Sequence, residues 1–383
     1  MVAPGGEASR EVARLEWWLR DGGDPAELIA DFLDKYGLVR SELGETSPAV
    51  RADEYRAAVF ISAAACARMV DRVSAPSPAP AVPDVVVVVE APGGAALPGD
   101  RSPTGPVRPG SWRLDAWRAS WTPRAHADAV DAVRRAIARG DVYQVNLVGH
   151  QSAGYRGDPL AALYRVAALP GARYGGVLTG DGWALACASP ETLFEVAAGR
   201  IVTGPIKGTR PATEAGRREL LTSTKERAEH VMIVDLERND LARVAVTGSV
   251  RVDELYGIRR WCDLWQAESV VSAHLADGVG LADVLRAMCP GGSVTGAPKL
   301  AALDVIAGLE PVGRGPSMGA YGWVTRERID LGLTIRTVAV DSERVHVWAG
   351  GGITWGSDPD AEVAEAAAKA SPLREALAPL ACP

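Results

Sequence analysis

Pro123–Arg139 constrains the fold most, because it commits the chain to a helix that hands over directly to a strand. Ala129, Val130, Val133 and Ile137 fall on one helical face, Gly140 ends the helix, and residues 141–148 follow as an apolar strand. From there on, strand-like and helix-like stretches alternate without a sustained repeat, which excludes solenoids and propellers. The 383 residues, 47% hydrophobic and 23% charged, suffice for one large or two medium domains with a sizeable core.

The earlier part of the chain is less regular. Val12, Leu15, Trp18 and Leu19, then Leu28, Ile29, Phe32 and Leu33, have helical spacing and predict two short packing helices over residues 11–36. Residues 73–111 shift to Pro, Gly, Ala and Ser around the run Val85-Val86-Val87-Val88-Val89, which reads as a buried strand between loops. This is the best candidate for a domain boundary or an inserted hairpin.

Charge and cysteine usage narrow the function. A formal net charge of -7 without a basic run excludes a nucleic-acid partner, so an anionic substrate needs local positive charge or a metal. Cys66, Cys187, Cys262, Cys289 and Cys382 lack paired spacing, which points away from zinc and disulfides and toward reduced core thiols. No stretch is apolar and long enough to span a bilayer, and the N-terminus carries no secretory signal, so the expected location is cytoplasmic.

The chemical signals lie in the later part. In Gly204-Pro205-Ile206-Lys207-Gly208-Thr209-Arg210, a lysine sits between backbone-fixing residues at the end of a strand. Lys207 becomes a nucleophile only if burial or a neighbouring cation, for which Arg210 is the candidate, lowers its pKa; otherwise it is an exposed turn lysine. A helix over residues 223–236 puts Glu226 and Glu229 on one face with His230 beside them. Another, over residues 358–377, repeats the spacing with Glu362 and Glu365 and adds Lys369. Such carboxylate pairs either hold one hard cation, Mg²⁺ rather than Zn²⁺, or are solvated charged faces.

The loop Pro290-Gly291-Gly292-Ser293-Val294-Thr295-Gly296-Ala297-Pro298-Lys299, opening onto a helix, suits a carboxylate or phosphate, although it lacks the ending of a P-loop. Arg336 stands among apolar residues of a strand over 333–340 and there requires an anion. Gly350, Gly351 and Gly352 either let backbone approach a ligand or make a bulge or tight turn. Arg238-Asn239-Asp240 reads as a helix cap and salt-bridge node, and the histidines show no metal spacing.

Taken together, Gly140-Asp141-Val142-Tyr143-Gln144-Val145-Asn146-Leu147, the Lys207 stretch, Glu226-Arg227-Ala228-Glu229-His230, Asp235-Leu236-Glu237-Arg238-Asn239-Asp240-Leu241, the loop containing Thr295, Ile335-Arg336-Thr337 and Ala349-Gly350-Gly351-Gly352 resemble the chorismate-utilising enzymes, in the same order. The resemblance runs from about Ala116 to Leu377. It implies an α/β (α+β) fold like that of anthranilate synthase component I, with large antiparallel sheets packed together and helices outside. It also implies a catalytic domain over residues 116–383, with the poorly matched residues 1–115 packed on it and no support for a regulatory tryptophan pocket.

The resemblance assigns roles to residues. It implies Mg²⁺ on Glu229 and Glu365, with Glu226 and Glu362 in support. It places Lys207, Glu191, Thr209 and Gln266 at the reacting centre, and Arg336, Thr295, Gly296, Gly351, Gly352 and Lys369 around the substrate. Gln144 stands where water-adding relatives usually carry a lysine base, Lys207 where anthranilate-forming relatives usually have alanine, and Gln266 where the latter have a histidine on what is read as a helix. These positions favour the branch that forms 4-amino-4-deoxychorismate over those forming anthranilate or 2-amino-4-deoxyisochorismate. An inactive chorismate-binding subunit is a further alternative, motivated by Ala212, Ala301 and Ser317, which depart from the family pattern and imply less positive charge and a lost stacking surface near the pocket. No glutaminase nucleophile turn is present, so ammonia is expected from a separate glutamine amidotransferase subunit or from free ammonium.

Overall fold

A computed structural model describes residues 9–39, 43, 55–92 and 112–379. Two antiparallel sheets form its frame. The ten-stranded sheet runs in the order Ser9–Trp17, Val85–Pro92, Arg56–Ile61, Ala320–Thr325, Arg328–Leu333, Thr192–Ala197, Arg200–Gly204, Leu264–His274 and Ile206–Pro211, with Arg251–Trp261 also pairing to Leu264–His274. The eight-stranded sheet runs Gly296–Ala297, Gln144–Arg156, Arg344–Ile353, Thr337–Val340, Trp183–Ser189 and Tyr174–Gly180, with Arg113–Leu114 and Arg118–Ala119 beside Gln144–Arg156.

The sheets share a buried core in which Phe194, Leu331 and Tyr321 of the first meet Val148, Tyr174 and Leu185 of the second. The Tyr174 hydroxyl donates to Asp330 Oδ1 at 2.7 Å, bridging the sheets. Helices cover the outside, with Leu160–Ala167 and Pro359–Leu377 closing a smaller apolar cluster over the eight-stranded sheet.

Several sequence expectations change in the fold. Residues 9–17 form a strand rather than the first packing helix, because the alternation of Ala13, Leu15 and Trp17 is satisfied by pairing with Val85–Pro92. The second helix forms at Pro25–Asp34, where the Asp24 side chain accepts from Ala26 N–H. The valine run is an interior strand, flanked on both sides, and not part of a detached hairpin.

The segment holding Gln266 is likewise a strand, Leu264–His274, whose Val270 and Val271 favour the sheet. The expected strand over 333–340 is interrupted, since Arg336 takes a left-handed φ of 54° before Thr337–Val340 begins. Cys66, Cys187 and Cys289 are buried free thiols and Cys262 is part-exposed, while Cys382 lies outside the described residues.

Candidate active site

Two helices and two strand pairs bring the charged residues together. The helix Thr224–Ala242 is capped by Ser223, whose hydroxyl accepts from Glu226 N–H at 3.2 Å, and it presents Glu226 and Glu229. The helix Pro359–Leu377 starts behind Asp358, which accepts from Ala361 N–H at 2.9 Å, and it presents Glu362, Glu365 and Lys369. The two face one cavity, where Thr354 donates to Glu229 at 2.9 Å and Ser357 to Glu362 at 2.6 Å.

The glycines are required by how close these parts come. Gly208 sits at φ 73° in a bulge of Ile206–Pro211, and a β-carbon there would meet Leu220 Cδ1 at 2.7 Å and Glu226 Oε2 at 3.1 Å. Gly350–Gly352 lie within the strand Arg344–Ile353 rather than in a turn. A β-carbon on Gly352 would come within 2.7 Å of Gln144 Nε2 and 3.3 Å of Lys207 Nζ, so only glycine leaves this space between them.

Lys207 projects into the cavity, and its Nζ donates to the Ser293 carbonyl at 2.9 Å. Burial is the main cause of a lowered pKa, and the Lys369 charge adds to it. The expected helper, Arg210, is committed elsewhere: it pairs with Glu219 at 2.7 Å and Glu226 at 2.9 Å. Opposite lies Glu191, almost fully buried, whose Oε1 accepts from Ser293 Oγ at 2.5 Å and Ile206 N–H at 3.2 Å. Desolvation holds its pKa above the usual carboxylate range. Thr209 and Gln266 are cross-strand partners on the same wall.

Arg336 is buried, lies over the Trp261 ring at 4.4 Å and donates to the Lys369 carbonyl at 2.9 Å. It has no carboxylate partner among the described residues, and burial pushes its pKa down to about 10. A buried guanidinium that faces a cavity without a direct ion-pair partner is a site for an anion.

The carboxylate wall offers oxygen donors only. Burial raises the pKa values of Glu229 and Glu362, whereas the Lys369 ammonium, 2.5 Å from Glu365, holds that carboxyl below its usual range. Among the described residues no three carboxylate, histidine or cysteine side chains converge as a closed cage. Oxygen donors of this kind suit a hard ion such as Mg²⁺, which takes one or two protein carboxylates and keeps water or substrate oxygens.

Thr295 and Gly296 stand apart from the expectation that they bind substrate. Neither lines the cavity: Thr295 turns its hydroxyl to the Gly291 carbonyl at 2.8 Å, and Gly296 pairs with Val145 in the sheet. The loop passes through the turn Gly292–Val294 and the short strand Gly296–Ala297 before its helix, so it makes no anion cradle at a helix N-terminus. Ser293 and Val294 carry its contribution instead, beside Asn146, Met318 and Trp348, which the sequence reading had not singled out.

Gln144, read from sequence as a branch marker, is fully buried, and neither amide atom has a hydrogen-bond partner among the described residues. Ala212, Ala301 and Ser317 do not line the cavity. Ser317 is a core residue donating to the Thr334 carbonyl at 3.2 Å, so these departures leave the site's walls intact.

The chain is similar in sequence and fold to known proteins. Aminodeoxychorismate synthase component 1 of Salmonella typhimurium is 38% identical over 257 residues, which are 65% of this chain and 57% of that protein. Anthranilate synthase component 1 of Streptomyces coelicolor is 39% identical over 284 residues, 72% of this chain and 55% of that one. The chain thus matches little more than half the length of these curated relatives. The crystal structure of anthranilate synthase component I from Streptococcus pneumoniae has the same fold, with a TM-score of 0.78 at 24% identity, covering 98% of this chain and 93% of that one. The family model described as chorismate binding enzyme matches residues 88–375, and the chain belongs to that family.

Proposed function

We propose that the protein replaces the 4-hydroxyl of chorismate with an amine and keeps the enolpyruvyl group, as the chorismate-binding component of an aminodeoxychorismate synthase. The observation that carries this reading is the half-buried Lys207, without an ion-pair partner among the described residues and held by the Ser293 carbonyl at 2.9 Å in a cavity that Arg336 also lines. Arg336 is matched to one carboxylate of a dianionic substrate. Mg²⁺ held by Glu229 and Glu365 would polarise the other and make the ring a better electrophile.

In this scheme the deprotonated Lys207 amine forms a C–N bond to the ring as the hydroxyl leaves, and Glu191, whose pKa burial raises, acts in its protonated form to give that hydroxyl a proton so that it departs as water. Ammonia then forms the second C–N bond, the lysine–ring bond breaks, and the new ammonium group returns a proton to Glu191. Gln266, an amide with no acidic proton at neutral pH, leaves no acid at its position to drive loss of pyruvate. Relatives named component 1 support a partnership with a second component, which in this scheme delivers the ammonia.

The test is mass spectrometry of products from the purified chain with chorismate, MgCl₂ and ammonium, beside Lys207→Ala. The expected product carries an amine in place of the hydroxyl, disappears in the variant and requires the metal salt. Anthranilate from the wild type would overturn the reading, and so would undiminished product from the variant.

A further inference from the structure

A second cavity, of about 140 Å³, opens between the start of the helix Pro123–Arg139, the helix Pro359–Leu377 and the strands Gln144–Arg156 and Arg344–Ile353. It exists because its walls are small: Gly149 and Ala349 on the sheet, Ala366 and Ala370 on the helix. Close-packed interiors normally fill such a helix–sheet gap with larger side chains. A β-carbon on Gly149 would stand 3.0 Å from Trp121 Nε1, so the indole lies directly against the sheet.

Trp121 stacks on His126 with ring centroids 4.5 Å apart and planes inclined by 18°, which gives the cavity a flat aromatic wall. His126 is 6% exposed, and among the described residues no group hydrogen-bonds to its ring nitrogens. The other histidine on the wall is different. His150 has both ring nitrogens engaged, by Ser120 Oγ at 2.5 Å and by His346 Nδ1 at 3.1 Å, so it is wall and not a handle. His126 thus brings to the cavity ring nitrogens that no described group engages, in a space large enough to hold a partner for them.

The chemistry of an occupant follows from the lining. No Asp, Glu, Lys or Arg is on it, so a charged ligand would lose its hydration without a counter-charge. Burial also keeps the His126 imidazole neutral at pH 7, leaving it one N–H donor and one acceptor nitrogen. A ligand hydroxyl answers either one. The volume is close to that of engineered apolar cavities that take up a single benzene ring, about 150 Å³.

We infer that this cavity is a second binding site, separate from the catalytic one, for a small neutral aromatic molecule carrying one hydroxyl group, with its ring on Trp121 and its hydroxyl on His126. The two sites share a helix: Ala366 and Ala370 back the new cavity, while Glu362, Glu365 and Lys369 face the catalytic one. An occupant therefore braces the carboxylate-bearing helix from behind.

The test uses phenol, benzene and benzoate as probes on the full chain, read by thermal unfolding, and so does not depend on chorismate turnover. Phenol is expected to raise Tm saturably by about 1–3 °C at tenfold its Kd. Benzene, lacking the hydrogen bond, binds about tenfold more weakly, and benzoate gives no shift. Ala366→Leu fills the cavity and removes the phenol effect, and His126→Phe lowers phenol to the affinity of benzene. Intermolecular nuclear Overhauser effects from phenol to the Trp121 and His126 ring protons locate the ligand even if Ala366→Leu fails to fold. No saturable shift with phenol, an equal shift with benzoate, an effect that persists in folded Ala366→Leu, or contacts mapped elsewhere would each overturn the assignment.

Discussion

Ser293 ties Lys207 to Glu191: its carbonyl accepts from Lys207 Nζ at 2.9 Å, and its hydroxyl donates to Glu191 Oε1 at 2.5 Å. The proposed nucleophile and the proposed proton donor are thus set by one residue of the glycine-rich loop. Backbone and side chain divide the work. Ser293→Ala keeps the carbonyl that holds Lys207 and removes only the hydroxyl that stabilises ionised Glu191. Its loss raises the Glu191 pKa further, so the limb where activity falls with rising pH should move to higher pH while Lys207 stays in place. The pH dependence of kcat checks this, and a profile unchanged from wild type would sink the role given to Glu191.

Lys207 itself predicts the opposite limb. Burial lowers its pKa below 10.5, so the reactive free amine becomes available at a lower pH than for an exposed lysine. Turnover at saturating ammonia should rise with pH through that lowered pKa. Lys207→Arg keeps the charge but cannot deprotonate, and should lose activity by about 10²-fold or more at every pH.

Arg336 is expected to separate binding from stability. Arg336→Gln removes a charge-assisted hydrogen bond to a substrate carboxylate, worth about 1.5–3 kcal/mol, so KM for chorismate should rise roughly tenfold to a hundredfold. The same substitution removes a buried cation that has no carboxylate partner among the described residues, so Tm should hold or increase. A drop in Tm with unchanged KM would mean that Arg336 serves the core alone.

Asp240 and Lys299 form the buried node suggested by the Arg238-Asn239-Asp240 stretch, at 2.6 Å and with side chains 8% and 9% exposed. Asp240→Ala strands the ammonium in the core and should cost about 3–5 kcal/mol, read as a lowered urea midpoint. Arg238→Ala should change little, because its pair with Asp235 is exposed on the helix surface.

The sequence carried more of the site than of the sheets. Glu226 and Glu229, and Glu362 and Glu365, declare a common helical face by spacing alone, and both helices announce their starts with capping residues. Lys207, Arg336 and Gly352 were legible as unusual residues but acquired partners only through long-range pairing. Strand order set those partners, and residues 9–17 show why it escaped the sequence: Val12, Leu15 and Trp18 have helical spacing, yet Ala13, Leu15 and Trp17 alternate as a strand, and the valine run alongside decided between them. Gln266 was misread as helical for a similar reason, because its strand draws pairing from neighbours on both sides. Thr295 and Gly296 look like ligand-binding residues by composition, but the loop spends their polar groups on its own turn and on the sheet edge.

His150 supplies the last prediction. It forms the middle of a hydrogen-bonded row that runs from Ser120 through His346 to Asp341 Oδ2, the last step being 3.1 Å. If Asp341 is ionised, it accepts from His346 Nε2–H, His346 Nδ1 accepts from His150 Nε2–H, and His150 Nδ1 accepts from Ser120. The His150 imidazole is neutral in that arrangement. Burial accordingly lowers the His150 pKa from 6.5 to about 3. The unfolded chain takes up the proton first, so stability from this group is complete above pH 6.5 and is lost as pH falls toward 3. The expected loss is about 2 kcal/mol between pH 7 and pH 5. Urea unfolding across that range checks it. His150→Asn, whose amide can accept from Ser120 and donate to His346 without titrating, should flatten the dependence by that amount, and an equally steep dependence in the variant would place the acid sensitivity elsewhere.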